Sequence, residues 1–205
     1  MVLRLTMLCQ PATAATRRAA FADDEPPEAD LDDALRDALR TRVGRRDAVQ
    51  SSPAACALGC AIRLDGAHDG VAHGVEVVPA LCDWDAGRWR GRSLADLQAS
   101  EPDALAAWRT DPDAAPHGGE SLRALLARVG DWLDAQAEAA RAAPSAGPQR
   151  SRRVVAVTHA AIIRAALVVA LEAPPQAFWR IDVAPLSLAE LHTAPLGWRV
   201  SRIGA

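Results

Sequence analysis

The sequence predicts an α/β protein, a three-layer α/β/α sandwich around a mostly parallel central sheet. Three observations lead there. Strand-like and helix-like segments alternate along the chain instead of clustering by type. Leu3–Leu8 and Val154–Thr158 read as buried strands, and the second runs directly into an apolar helix. The chemically capable residues Cys9-Gln10, Ser51-Ser52 and His159 stand at predicted strand ends, where sites gather in open α/β sheets.

In order, Leu3–Leu8 is the first strand, and Asp23–Glu28 is an acidic, proline-broken loop. Asp30–Arg40 places Leu31, Ala34, Leu35, Ala38 and Leu39 at helical spacing. Ala48–Ser51 is a short strand. Ser52-Pro53 reads as an N-cap followed by proline in a first helical turn, and Cys56 and Cys60 then lie one turn apart. Gly74–Leu81 is a further strand, "DWDAGRWRGRS" a glycine-punctuated loop, and Ser93 the N-cap of Leu94–Ala99. Helices are predicted over Asp103–Arg109 and, after "PHGGE", over Ser121–Ala142. Ala143–Arg153 is a connector. Val154–Thr158, His159 and the helix Ala160–Leu171 follow, and strands over Arg180–Val183, Ser187–His192 and Trp198–Ile203 close the chain. The 205 residues suit a single domain, with no internal repeat and the six tryptophans mostly in the core or at its rim.

Half of the residues are hydrophobic, which argues against a disordered chain. The net charge of −3 gives no basis for nucleic-acid or anionic-membrane binding, and the arginines stand in a chain that has no lysine. No apolar stretch reaches the roughly 18 residues of a membrane span, and no secretory leader is read at the start. A cytoplasmic location is expected, with Cys9, Cys56, Cys60 and Cys82 reduced. Their spacing fits no zinc-finger pattern.

Five segments, in order, resemble the histidine phosphatase superfamily of phosphoglycerate mutase-like proteins: "SSPAACALGCA", "LCDWDAGRWRGRSL", "SLRALLARVGDWL" after "GGE", "VVAVTHAAIIRAAL" and "FWRIDVAPLSLAEL". The resemblance implies a first strand ending in Arg-His-Gly, whose histidine takes up the phosphoryl group. It also implies a second histidine that donates hydrogen bonds, two clamping arginines and an acid that protonates the leaving group. A phosphoryl dianion held out of bulk water needs fixed cationic donors. Matched segment by segment, the first arginine falls on Cys9, the nucleophile on Gln10 and the glycine on Pro11, while Thr13 keeps its place. The second arginine falls on Cys56, the acid on Asp83 and the second histidine on His159. The resemblance also sets His117 near the pocket mouth.

The chain is therefore identified as a degenerate member that lacks the Arg-His-Gly motif. A neutral glutamine amide cannot accept a phosphoryl group. Losing the nucleophile and both clamps together leaves near-background catalysis. The leading expectation is a pseudophosphatase whose altered pocket, lined by Cys9, Gln10, Thr13, Cys56 and His117, binds a small ligand or a protein partner. A second reading is a phosphoester hydrolase using His159 and Asp83 with a water nucleophile. A third is a metal module in which Cys9, Cys56 and His159 hold zinc or another thiophilic metal; no cofactor is otherwise expected. Arg17, Arg18, Arg88 and Arg90 are cations that could replace the clamps, and a homodimer is left open.

Overall fold

The computed structural model describes residues 2–29, 31–66, 74–142 and 151–204. The elements are β1 (Leu3–Cys9), α1 (Ala14–Arg17), α2 (Asp33–Val43), β2 (Ala48–Ser51), α3 (Ala55–Asp65) and β3 (Val75–Val77). They continue with α4 (Leu94–Ser100), α5 (Pro102–Thr110), α6 (Leu122–Ala142), β4 (Arg152–Thr158), α7 (Ala160–Ala170), β5 (Leu188–Ala194) and β6 (Gly197–Gly204). The sheet runs β3-β2-β4-β1-β5-β6. β1, β2, β3 and β4 pair in parallel, and β5 and β6 add antiparallel strands at one side.

Strand alternation builds the three layers. Leu3, Leu5, Met7 and Cys9 of β1 and Val154 and Ala156 of β4 enter one core with the buried faces of α6 and α7. Leu8, Val155 and Val157 face the other way, into a core with Leu39 of α2 and Ala57, Cys60 and Leu64 of α3. Central strands covered on both faces explain why β4 reads as a continuous apolar run. A third cluster, built on Trp89, Leu97, Leu105 and Trp108, sits under the glycine-punctuated loop.

Several expectations shift. Ser52 is not an N-cap; α3 starts at Ala55 with Ala54 before it, and the Ser52 hydroxyl is used elsewhere. The Gly74–Leu81 strand shortens to Val75–Val77, because Pro79 lacks a ladder donor and opens a 3₁₀ turn, Pro79–Leu81. Arg180–Val183 is no strand: β1 is already paired by β4 and β5, and the preceding Pro175–Arg180 winds as 3₁₀. Ser93 does cap α4, through a capping box with Asp96. Of the predicted connector, residues 143–150 lie outside the described residues, and Arg152 and Arg153 belong to β4. No described helix is long and apolar enough to cross a membrane.

Candidate functional site

Parallel pairing brings three strand ends to one edge. Cys9 lies beside Thr158, and Ser51 beside Val157. The next residues are tied to β4 as well: the Gln10 N–H donates to the Thr158 carbonyl at 2.7 Å and the Ser52 N–H to the Val157 carbonyl at 2.9 Å. Gln10, Ser52 and His159 therefore cluster for backbone reasons. The loop bearing Asp83 is pinned beside them. The Thr158 hydroxyl donates to Leu81 O at 2.8 Å, and Arg128 Nη1, from α6, donates to Ala80 O and Cys82 O at 2.7 and 3.1 Å. Glu120 holds Arg128 at 2.7 Å and accepts from Trp84 Nε1 at 2.6 Å through its carbonyl. The next stretch of that loop lies against the "PHGGE" segment so closely that a Cβ on Gly119 would stand 2.0 Å from Asp85 O.

His159 is 3% exposed. Its Nε2 lies 2.9 Å from Ser52 Oγ, which also accepts from the Ala54 N–H at 3.2 Å. Its Nδ1 lies 3.4 Å from Asp83 Oδ2, but not aligned for a hydrogen bond, so this ring nitrogen is buried without a partner. The carboxylate on that side favours the tautomer with hydrogen on Nδ1 and with Nε2 accepting from Ser52. Ser52 is fully buried, and its hydroxyl orients the imidazole. Asp83 is partly exposed, and its other oxygen accepts from the Trp84 N–H at 2.8 Å.

Where the resemblance sets the nucleophile and a clamp, the Cys56 thiol donates to Gln10 Oε1 at 2.9 Å. Burial pushes the Cys9 thiol up to about 12, with nearby Asp83 adding to the rise. Burial likewise pushes Cys56 up to about 11, against backbone hydrogen bonds that pull it down. Both are neutral thiols at neutral pH in the absence of a metal, hence poor nucleophiles. Among the described residues no group of three His, Cys, Asp or Glu side chains is placed to hold a metal ion, so the Cys9–Cys56–His159 ligand set is not assembled.

The expected single pocket is two adjoining cavities. One, of about 240 Å³, is lined by Cys9, Gln10, Asp83 and His159 together with an aromatic wall; the other, of about 250 Å³, is lined by Cys56, Ser52, Asp83 and His159. Cys9 and Cys56 thus belong to one site but face different chambers. Thr13 and His117 line neither. Thr13 is buried as the N-cap of α1, where its hydroxyl accepts from the Thr16 N–H at 3.3 Å. His117 is buried against Trp89, ring centres 4.9 Å apart, and its Nδ1 accepts from the Gly119 N–H at 2.9 Å. Burial lowers its pKa, consistent with that accepting role.

The candidate replacement cations are mostly engaged elsewhere. Arg17 pairs with Glu28 at 2.6 Å, Arg18 with Glu25 at 3.2 Å and Arg88 with Glu101 at 2.5 Å. Arg90 pairs with Asp85 at 2.8 Å and lines only the second cavity. Sequence reasoning missed Arg164, which lines the first cavity from the first turns of α7. Its signal was visible: it is the one charged residue in "AAIIRAALVVA", five positions after His159. The role of Ser52 and the pooling of Phe21, Trp84, Trp108, Phe178 and Trp179 on one wall were also missed, because both are tertiary.

The model of branch 1 of the histidine phosphatase superfamily matches residues 33–205. The chain belongs to the histidine phosphatase superfamily. The matched span begins after β1 and does not include Cys9, Gln10 and Pro11. The glucosyl-3-phosphoglycerate phosphatase of Mycobacterium tuberculosis is 38% identical over 107 residues, 51% of this chain and 46% of that protein. A bifunctional protein of the same organism is 31% identical over 153 residues, 74% of this chain and 39% of that protein. The chain spans about half the length of the curated relatives it matches, or less. In structure it is similar to a mycobacterial glucosyl-3-phosphoglycerate phosphatase, with TM-score 0.80 and 26% identity over 100% of both chains. It shares its fold with an α-ribazole-5'-P phosphatase of Escherichia coli, with TM-score 0.79 and 18% identity over 99% of this chain and 96% of the other.

Proposed function

We propose that this chain is a ligand-binding member of the superfamily whose pocket no longer runs the phosphohistidine reaction. The observation that carries the reading is the Cys56–Gln10 hydrogen bond at 2.9 Å. Two neutral side chains satisfy each other at the point where the family's chemistry needs a nucleophile and a guanidinium. Neither can accept a phosphoryl group or offset its charge at neutral pH, and Asp83 adds a negative charge to both chambers. His159 keeps its position, held by Ser52, and supplies a donor to whatever fills the cavity. The reading places the protein in the cytoplasm, with no resident metal and no nucleic-acid partner.

A second reading, water-mediated phosphoester hydrolysis, draws on the 3.4 Å approach of Asp83 to His159 and on the phosphatases among the relatives. One experiment separates the two: steady-state turnover of p-nitrophenyl phosphate and of glucosyl-3-phosphoglycerate by the full chain and by His159→Ala. The ligand-binding reading expects background rates from both. Turnover lost in His159→Ala would establish the second reading.

A further inference from the structure

The first chamber combines one cation with an aromatic wall: Arg164 lines it together with Phe21, Trp84, Trp108, Phe178 and Trp179. Their rings brace one another, with Trp108 and Trp179 centred 4.7 Å apart and Trp84 and Trp108 5.0 Å apart, so the wall is preformed.

We propose that this chamber binds a small aromatic monocarboxylate, its ring against the aromatic wall and its carboxylate on Arg164. The inference rests on the reading above of an altered, ligand-binding pocket and names the class of its ligand. Charge decides between anions. Arg164 is the one cation lining the chamber and Asp83 the one carboxylate. A single negative charge on the Arg164 side is matched, whereas a second charge meets Asp83 with no further guanidinium to offset it. A planar guanidinium offers paired N–H donors to a carboxylate and a phosphate alike, so the choice of a carboxylate rests on the charge count. Arg164 is available for this: its Nη2 reaches only the fully exposed Asp182, at 4.0 Å, and its head lies 5.8 Å from the Phe178 ring centre. The aromatic wall supplies the apolar contact area that a ring needs.

The test titrates the full chain with 2-naphthoate, its neutral isostere 2-naphthamide, and 2-naphthyl phosphate, read by calorimetry and by tryptophan fluorescence. Saturable binding of 2-naphthoate is expected, at least about tenfold tighter than either analogue, the worth of one charge-assisted hydrogen bond. Arg164→Gln should weaken 2-naphthoate by about 10- to 100-fold and leave 2-naphthamide unchanged. No saturable 2-naphthoate binding, equal affinity for the amide, or a folded Arg164→Gln variant with unchanged affinity would each overturn the proposal. If Arg164→Gln does not fold, the acid-to-amide ratio on the natural chain decides. Turnover of 2-naphthyl phosphate would instead overturn the ligand-binding reading itself, so the two failures are distinguishable.

Discussion

The ends of β1 and β4 lie side by side, in register to the last residue, Cys9 against Thr158. Just past them stand Gln10 and His159. At the β4 end, His159 keeps its place under the Ser52 hydroxyl. At the β1 end, a cysteine, a glutamine and a proline stand where the resemblance sets the family's cationic and nucleophilic groups, yet the strand is paired with β4 along its whole length and buried apart from Arg4 and Thr6. The difference teaches which link each residue serves. β1 is held by alternating apolar side chains and by ladder hydrogen bonds, none of which involves the tips of Cys9 or Gln10. The side-chain tips to which the resemblance assigns chemistry at this end are not the groups that hold the fold.

Putting charge back at only one of the two ends should have the largest effect. Cys9→Arg alone places a guanidinium at a 2% exposed position with no anion bound, and a loss of about 3–5 kcal/mol is expected in urea unfolding. The quadruple variant Cys9→Arg, Gln10→His, Pro11→Gly and Cys56→Arg rebuilds both clamps and should regain calorimetric binding of orthovanadate. A folded quadruple variant that ignores vanadate would break the matching of the two strand ends.

Alkaline pH probes the neutral side of the comparison. Cys9, Cys56 and Cys60 have an ordinary value of 9.0 and are raised to about 12, 11 and 12 in the fold. The folded state thus holds protons that the unfolded state releases. Stability is fully present below pH 9 and falls as pH rises towards 11 to 12. The chain has no lysine or tyrosine to blur that window. At pH 10 the three thiols together should cost roughly 3–5 kcal/mol, seen as a lower urea midpoint than at pH 8 and relieved in Cys60→Ala.

The β4 end is probed by Ser52→Ala, which leaves His159 Nε2 buried without its partner. A loss of about 1–3 kcal/mol is expected, with little change at the β1 end, as read by the alkylation rate of Cys56. The smallest effect is kinetic. Cys82, the least buried of the four thiols, should react with iodoacetamide first, and Cys9 and Cys60 last. A Cys9 that reacts as fast as Cys82 would mean that the β1 end opens readily.

What was legible in the sequence follows the same division. β1, β2, β4 and α7 were readable because their apolar runs are set by burial, and Cys9, Gln10, Ser52 and His159 were placed at one edge because parallel strands end together. The Gly74–Leu81 reading ran past Pro79, since valine-rich flanks outweighed one missing donor. Arg180–Val183 looked like a strand, but both sides of β1 are taken by β4 and β5 and the preceding Pro175–Arg180 winds as 3₁₀. His117 and Thr13 were assigned to the pocket by the family resemblance, whereas His117 packs on Trp89 and Thr13 caps a helix, and neither lines the two cavities. Arg164 was hidden in a helix whose burial pattern spoke louder than its single charge.

The most direct test of the account is turnover of an aryl phosphate at neutral pH by the natural chain, with His159→Ala alongside. The account predicts that both stay at background. A rate above about 1 per second, typical of a modest enzyme, that disappears in His159→Ala would contradict it.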